Sequence, residues 1–286
     1  MPAQLVDGKA IAAAIRREVR AETEILAAKA GRPPGLAVIL VGEDPASATY
    51  VRNKGKACEE VGIRSVQITL PATVSSEALL EVLHGLNRDD TIDGILVQLP
   101  LPVHLRERSV LETVAPAKDV DGFHPSNLGG LLTGNPLFIA STPLGIMELL
   151  DRFHVAIEGK HAVIVGWSTI VGKPTAFLLL ERRATVTVCQ EWTRNLDQHT
   201  RQADILVVAV GKPGLVTGDM VKEGAVVIDV GINRVEGKLV GDVDFASVYP
   251  RASLITPVPG GVGPLTVAML LRNTLIAYKA RMHPRG

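Results

Sequence analysis

His161-Ala-Val-Ile-Val-Gly-Trp-Ser-Thr-Ile-Val-Gly-Lys-Pro174 reads as a buried strand, a glycine turn and the opening of a helix. Residues 162–165 are a short apolar run, as in strands covered on both faces. Gly166 frees the backbone at the turn, and Pro174 suits a helix's first turn. In that setting the N–H groups and dipole of the helix start favour a pyrophosphate. The spacing is not G-x-G-x-x-G, because Ser168 takes the middle glycine's place and Gly172 comes late. It is not a Walker A loop either, because Gly166 and Gly172 are one residue too far apart and Pro174 replaces Ser or Thr. A tight strand-to-helix turn with no ligand is the plain alternative.

Further on, residues 185–189, 205–209 and 226–230 read as strands. Glu191 comes after the first of these, where an acidic side chain accepts hydrogen bonds from the ribose hydroxyls of NAD. A solvated charge at a strand end is the other reading. Towards the N-terminus the alternation continues. Asp7 caps a first helix with Ile11, Ile15, Val19 and Leu26 on one stripe and Gly31 as its stop. Strands are expected at 36–41, 65–70 and 94–99, and helices at 46–61, 76–86, 144–153 and 264–281. Strands alternating with helices imply βαβ units. The expected fold class is α/β, with two mostly parallel sheets joined near residues 120–145. The final helix is able to return to the first domain.

Composition narrows the function. The chain has 286 residues, 47% of them hydrophobic and 21% charged, which excludes a mostly disordered protein. Thirty Lys and Arg balance thirty Asp and Glu. A chain-wide electrostatic grip on nucleic acid or an anionic membrane is therefore not expected. Cys58 and Cys189 have no metal-type spacing, so neither a zinc ribbon nor a disulfide scaffold is expected, and a reducing cytoplasm fits. Residues 125–147 and 252–271 lack charge, but prolines interrupt both, so neither reads as a membrane helix. Asp7 and Lys9 fall where a signal peptide needs its apolar core.

A second constellation lies in the first half. Tyr50 and Lys54 are spaced i, i+4 and share a helix face. A phenol beside an amine can orient a substrate and move protons, while a packed Tyr with a snorkelling Lys is the structural alternative. Gln98 sits in the apolar run Gly94-Ile-Leu-Val-Gln-Leu-Pro100, near a strand's carboxyl end, where open parallel sheets bind ligands. Asp119-Val-Asp121-Gly-Phe-His-Pro125 places two carboxylates in a turn. One could bind a ring N–H group, or both could serve an Asx turn. Pro257-Val-Pro-Gly-Gly-Val-Gly-Pro264 is a glycine-rich loop that either approaches a ligand closely or simply connects domains.

In order and spacing, residues 46–57, 94–102, 118–125 and 259–264, with Ser168-x-x-Val171-Gly172-x-Pro174, closely resemble the bifunctional methylenetetrahydrofolate dehydrogenase/methenyltetrahydrofolate cyclohydrolase family. The likeness runs from near residue 5 to near 280. It implies a folate-binding catalytic domain, 1–140 completed by 264–286, and a Rossmann-type NAD(P)-binding domain, 141–263. It also implies an active site in the interdomain cleft, and a homodimer. The implied reaction oxidises 5,10-methylenetetrahydrofolate to the methenyl form and then hydrolyses it to 10-formyltetrahydrofolate, without a metal.

By motif position Lys54 is the key cyclohydrolase residue, Gln98 holds it, Tyr50 orients the folate and Asp121 binds the pterin. Pro259, Gly260 and Gly261 close over the folate. Cofactor contacts are implied for Gly166, Trp167, Ser168, Ile170, Val171, Gly172, Glu191 and Ile232. The resemblance implies NADP+, yet the family usually has Arg at Trp167 and His-Ser at Gln190-Glu191, the positions that help hold the 2′-phosphate. Trp167 and Glu191 therefore favour NAD+. Ser141 and Gly130 also depart, from Cys and Arg. A shikimate-type dehydrogenase and a catalytically silent nucleotide sensor are the rival readings. Gln98 and the 259–264 loop oppose the first, and the retained Tyr50, Lys54, Gln98 and Asp121 oppose the second.

Overall fold

The computed structural model describes residues 3–282. Its strands are β1 (Gln4–Leu5), β2 (Gly35–Val41), β3 (Arg64–Leu70), β4 (Gly94–Val97), β5 (His161–Val165), β6 (Thr185–Cys189), β7 (Ile205–Val208), β8 (Val226–Asp229), β9 (Asn233–Val235), β10 (Lys238–Val240) and β11 (Leu254–Ile255). Its helices are α1 (Gly8–Ala30), α2 (Pro45–Glu60), α3 (Ser76–Arg88), α4 (Glu107–Thr113), α5 (Pro125–Leu132), α6 (Ser141–Arg152), α7 (Gly172–Glu181), α8 (Leu196–Thr200), α9 (Phe245–Val248) and α10 (Val262–Met282). They form two compact units. One takes the described residues up to Ala12 with Thr142–Thr266, and the other takes Ala13–Ser141 with the described residues from Val267 onward.

The second unit is built on a parallel three-stranded sheet of order β3-β2-β4. All seven residues of β2 are buried, as its unbroken apolar run requires in a central strand. The crossover from β2 to β3 is α2. Its start is sharply set: Asp44 accepts the Ser47 N–H at 2.7 Å, and Pro45 occupies the first turn, where a missing N–H costs nothing. That start fixes the helical phase of Tyr50 and Lys54. Leu79, Leu83 and Leu86 of α3 pack with Ile39, Ile95 and Val97 of the sheet.

At the sheet's amino edge, buried Asp93 accepts two bonds from the Arg32 guanidinium, at 2.7 and 2.8 Å, and one from the Gly35 N–H at 2.8 Å. Arg281 of α10 stands 3.8 Å away. Asp93→Asn leaves these donors without their carboxylate. Since Arg32 is partly solvated, the expected loss is about 2 kcal/mol, read as a lower melting temperature with the far-UV spectrum unchanged. A melting curve indistinguishable from wild type would refute this clamp.

The first unit carries a parallel six-stranded sheet of order β1-β11-β8-β7-β5-β6. The chain runs outward from β5 to β6 and then returns past β5 to β7. That reversal makes a switch point, where open sheets bind ligands at their carboxyl edge. The core here is small and β-branched, with Val163, Val165, Val208, Val227 and Ile255 among its buried residues.

The short elements α4, α5, α8, α9 and β11 are not among those expected, and two further features differ from the sequence expectation. The expected catalytic domain includes residues 1–12, but Gln4–Leu5 pairs with Leu254–Ile255 of the six-stranded sheet, so the described N-terminal residues belong there. A two-residue strand has no periodicity to read, and its partner lies 250 positions away. The hairpin β9–β10 is also absent from the expected elements. Its turn places Glu236 at φ 49° and Gly237 at φ 80°, the left-handed pair that two-residue hairpin loops need. Among the described residues no helix is long and apolar enough to cross a membrane.

Candidate active site

The three-stranded unit brings Lys54 and Gln98 together. The Lys54 ammonium donates to Gln98 Oε1 at 3.0 Å, and Gln98 Nε2 donates to the Leu99 carbonyl at 2.7 Å. The second bond fixes which end of the amide faces the lysine. Gln98 lies one residue beyond β4 because its N–H still bonds to the Ile39 carbonyl at 2.8 Å, so the ladder delivers its side chain to the sheet's carboxyl edge. Burial pulls the Lys54 ammonium below the usual lysine range, while the nearby Asp121 carboxylate pulls the other way. The amine is thereby moved towards the proton-exchanging range. Tyr50, one turn earlier on α2, exposes 44% of its surface and leaves its ring free to meet a ligand.

The two aspartates of the following loop have separate jobs. Asp119 is buried and accepts the N–H groups of Phe123 at 3.2 Å and His124 at 2.8 Å, plus Asn127 Nδ2 at 2.7 Å. It is the Asx-type brace of the turn. Asp121 is half-buried, and among the described residues no hydrogen bond reaches its carboxylate. Removal from water pushes its carboxyl up to about 6, against the pull of Lys54. A carboxylate desolvated in this way and left without donors is suited to accept them from a ligand. The loop is held from α10, where buried Asn273 donates to the carbonyls of Val120 at 2.8 Å and Ile139 at 2.9 Å.

In the six-stranded unit, the turn after β5 is built by close backbone contact. Gly166 has φ 124°, and a Cβ there would stand 2.2 Å from the Ala209 carbonyl oxygen. A Cβ on Gly172 would stand 2.2 Å from the Gly166 oxygen. Ser168 Oγ accepts the N–H groups of Val171 at 3.1 Å and Gly172 at 3.3 Å, just ahead of α7. The sequence expectation has N–H groups of this helix start favouring a pyrophosphate, and Ser168 Oγ engages two of those near it.

A cavity of about 670 Å³ opens over this turn, lined by Gly166, Trp167, Ser168, Gln190, Glu191 and Lys212 among others. Ile170, Val171, Gly172 and Ile232 lie outside that lining. Gly172 turns back into α7, and Ile232 comes after β8, three strands across the sheet from β6. Lys173 stands over the Trp167 ring at 5.2 Å. A cavity of this size beside a glycine turn, with a carboxylate after the next strand, fits a dinucleotide's phosphates and ribose.

Pro259, Gly260 and Gly261 also belong to this unit. The Gly261 N–H bonds to the Pro257 carbonyl at 2.9 Å, and a Cβ on Gly8 would stand 1.8 Å from the Gly261 oxygen, so the loop lies tight against the start of α1. Two participants escaped the sequence reading. Asn273 lies between Arg272 and Thr274 in the final helix, and only its bonds to the Val120 and Ile139 carbonyls set it apart from them. Lys212 comes after β7 at the carboxyl edge, which also marks it. A Cβ on Gly130 would stand 2.8 Å from the Asn135 carbonyl oxygen, so an Arg there would have to move the Asn135–Pro136 backbone.

This architecture defines a two-unit α/β protein whose six-stranded unit is an NAD(P)-binding domain. Comparison with known proteins makes the family explicit. Residues 6–121 match the tetrahydrofolate dehydrogenase/cyclohydrolase catalytic domain, and 140–282 match that family's NAD(P)-binding domain. A bifunctional protein FolD of Moorella thermoacetica is 60% identical over 98% of this chain and all of the relative. The crystal structure of the bifunctional methylenetetrahydrofolate dehydrogenase/cyclohydrolase of Campylobacter jejuni superposes with a TM-score of 0.95 at 52% identity, covering 97% of this chain and 99% of that one. The Trypanosoma brucei enzyme, solved with NADP and an inhibitor, gives 0.95 at 43% identity, covering 99% of each chain. The chain belongs to the tetrahydrofolate dehydrogenase/cyclohydrolase family.

Proposed function

We propose that this protein oxidises 5,10-methylenetetrahydrofolate to 5,10-methenyltetrahydrofolate with NAD(P)+ and hydrolyses that cation to 10-formyltetrahydrofolate. The observation that carries the reading is Lys54, held by Gln98 and depressed by burial, beside a donor-free Asp121. Asp121 accepts N–H bonds from the pterin, and Tyr50 packs on the folate. When bound, the dinucleotide accepts the hydride from the folate's methylene carbon. In the hydrolysis water adds to the methenyl carbon and loses a proton. The bond from that carbon to one ring nitrogen breaks, and that nitrogen is protonated. Lys54 moves the proton between the added oxygen and the departing nitrogen. Appearance and decay of methenyl absorbance, with each cofactor in turn, tests both steps. Absence of turnover with either cofactor would exclude the reading.

The cofactor pocket supports use of NAD+ at least as well as NADP+. Glu191 and Trp167 line it where the family usually offers His-Ser and Arg, and Lys173 stands over the Trp167 ring. A carboxylate there repels a 2′-phosphate and accepts bonds from an unphosphorylated ribose, and the Trp167 ring can pack on the adenine. Glu191→Ser is expected to shift the NAD-to-NADP ratio of kcat/KM towards NADP by about tenfold or more. A wild type that strongly prefers NADP would overturn this. By the same family likeness the protein works as a homodimer in the cytoplasm, for which light scattering is the direct check of the dimer.

A further inference from the structure

The nucleotide cavity carries a cation to which the proposed mechanism gives no role. Lys212 lines it together with Gly166, Ser168 and Glu191. Among the described residues no hydrogen bond or ion pair engages its ammonium. The loop that presents it is fixed. Fully buried Asp242 accepts the N–H groups of Val210 at 2.7 Å and Gly211 at 2.9 Å, and its other oxygen accepts Asn233 Nδ2 at 2.8 Å. The same loop touches the glycine turn, since the Ala209 oxygen is what a Cβ on Gly166 would strike.

Sheet order separates this loop from the ribose site. β7 lies on one side of β5, and β6, which leads to Glu191, lies on the other. The glycine turn thus stands between Lys212's loop and Glu191. A ribose bonded to Glu191 directs its phosphates towards the turn, on the Lys212 side, and its 2′ position away from it.

We propose that Lys212 is the cation that engages the dinucleotide's pyrophosphate, and so serves NAD and NADP alike rather than reading the 2′-phosphate. This rests on the cavity being the dinucleotide site. An ammonium is a point charge well matched to phosphate oxygens. Asp242 holds the backbone that aims it, so little order is lost on binding.

The test uses Trp167, on the cavity wall, as reporter in a Trp192→Phe background, which leaves one tryptophan. Quenching by NAD+ establishes the cavity as the site. On adding Lys212→Met, the Kd for ADP and for NAD+ should rise about tenfold, while that for adenosine, which lacks phosphate, stays within about twofold. The NAD-to-NADP ratio of kcat/KM should not change, and Lys212→Arg should recover most of the ADP affinity. Equal weakening of ADP and adenosine would mean a packing role and overturn the proposal. Weakening of NADP alone would move Lys212 to the 2′-phosphate, and unchanged ADP affinity would remove it from the phosphates; either overturns it. If NAD+ quenches Trp167 in neither protein, the cavity assignment itself falls, and the proposal with it.

Discussion

Lys54→Met abolishes cyclohydrolase turnover while dehydrogenase turnover stays measurable. Hydrolysis needs a group that takes a proton from the attacking water and returns one to a ring nitrogen. Hydride transfer needs no such group. Lys54 meets that need because burial lowers its affinity for the proton and Gln98 fixes its position. Met keeps the apolar length of the side chain and removes the amine. Loss of a positioned general acid–base is worth roughly 10² to 10⁴ in rate, so the decay of added methenyltetrahydrofolate should fall to near the uncatalysed rate. Lys54→Arg should not restore it, because a guanidinium stays charged at every accessible pH and cannot exchange the proton. Near wild-type decay in the Met variant would remove Lys54 from the mechanism.

Asp121→Asn is expected to lower both activities together, by about 100-fold in kcat/KM for folate. Both steps use one folate, and the carboxylate's charge strengthens each N–H bond it accepts. The direction with pH comes from its position near 6. Above about 6 the carboxylate is ionised and accepts donors; as pH falls through that value it protonates and folate binding weakens. The KM for folate should therefore rise on the acid side in wild type, and this limb should be missing in Asp121→Asn.

Stability has the opposite sign. A carboxyl group raised from 3.8 to about 6 is protonated more readily folded than unfolded, so stability falls as pH rises across that window. Asp121→Asn should accordingly melt higher than wild type at neutral pH while binding folate worse. Loss of only one activity would indicate that Asp121 does not serve a shared folate site.

Most of the framework was legible because it is local. Long apolar runs such as Gly35–Val41 and capped helices such as α2 announce themselves in neighbouring residues. The phase of Tyr50 and Lys54 came from helical spacing alone, and Gln98 from its place at a strand end. The turn's residues alone did not separate Asp119 from Asp121; only motif position singled out Asp121. Both are carboxylates in one turn, and in the fold the donors Phe123, His124 and Asn127, which all reach Asp119, tell them apart. Ser168 stands where the motif has glycine, but its hydroxyl engages two amides near the helix start. Lys212 was not legible because what places it is the reversal of strand order around β5, a property of the sheet that no single segment contains.

The bonds from Asn273 to the Val120 and Ile139 carbonyls span 153 and 134 positions. They impose an order on synthesis. A ribosome has made Tyr50, Lys54, Gln98 and Asp121 long before it makes the helix that anchors the Asp121 loop. By the time Thr266 is added, the six-stranded unit has all of its chain, whereas the three-stranded unit still lacks the chain from Val267 onward. Domains fold as units during translation. The nucleotide-binding half is therefore the first whose chain is complete, and the folate half waits on the chain's final helix. A chain ending at Thr266 should accordingly bind dinucleotide but not folate.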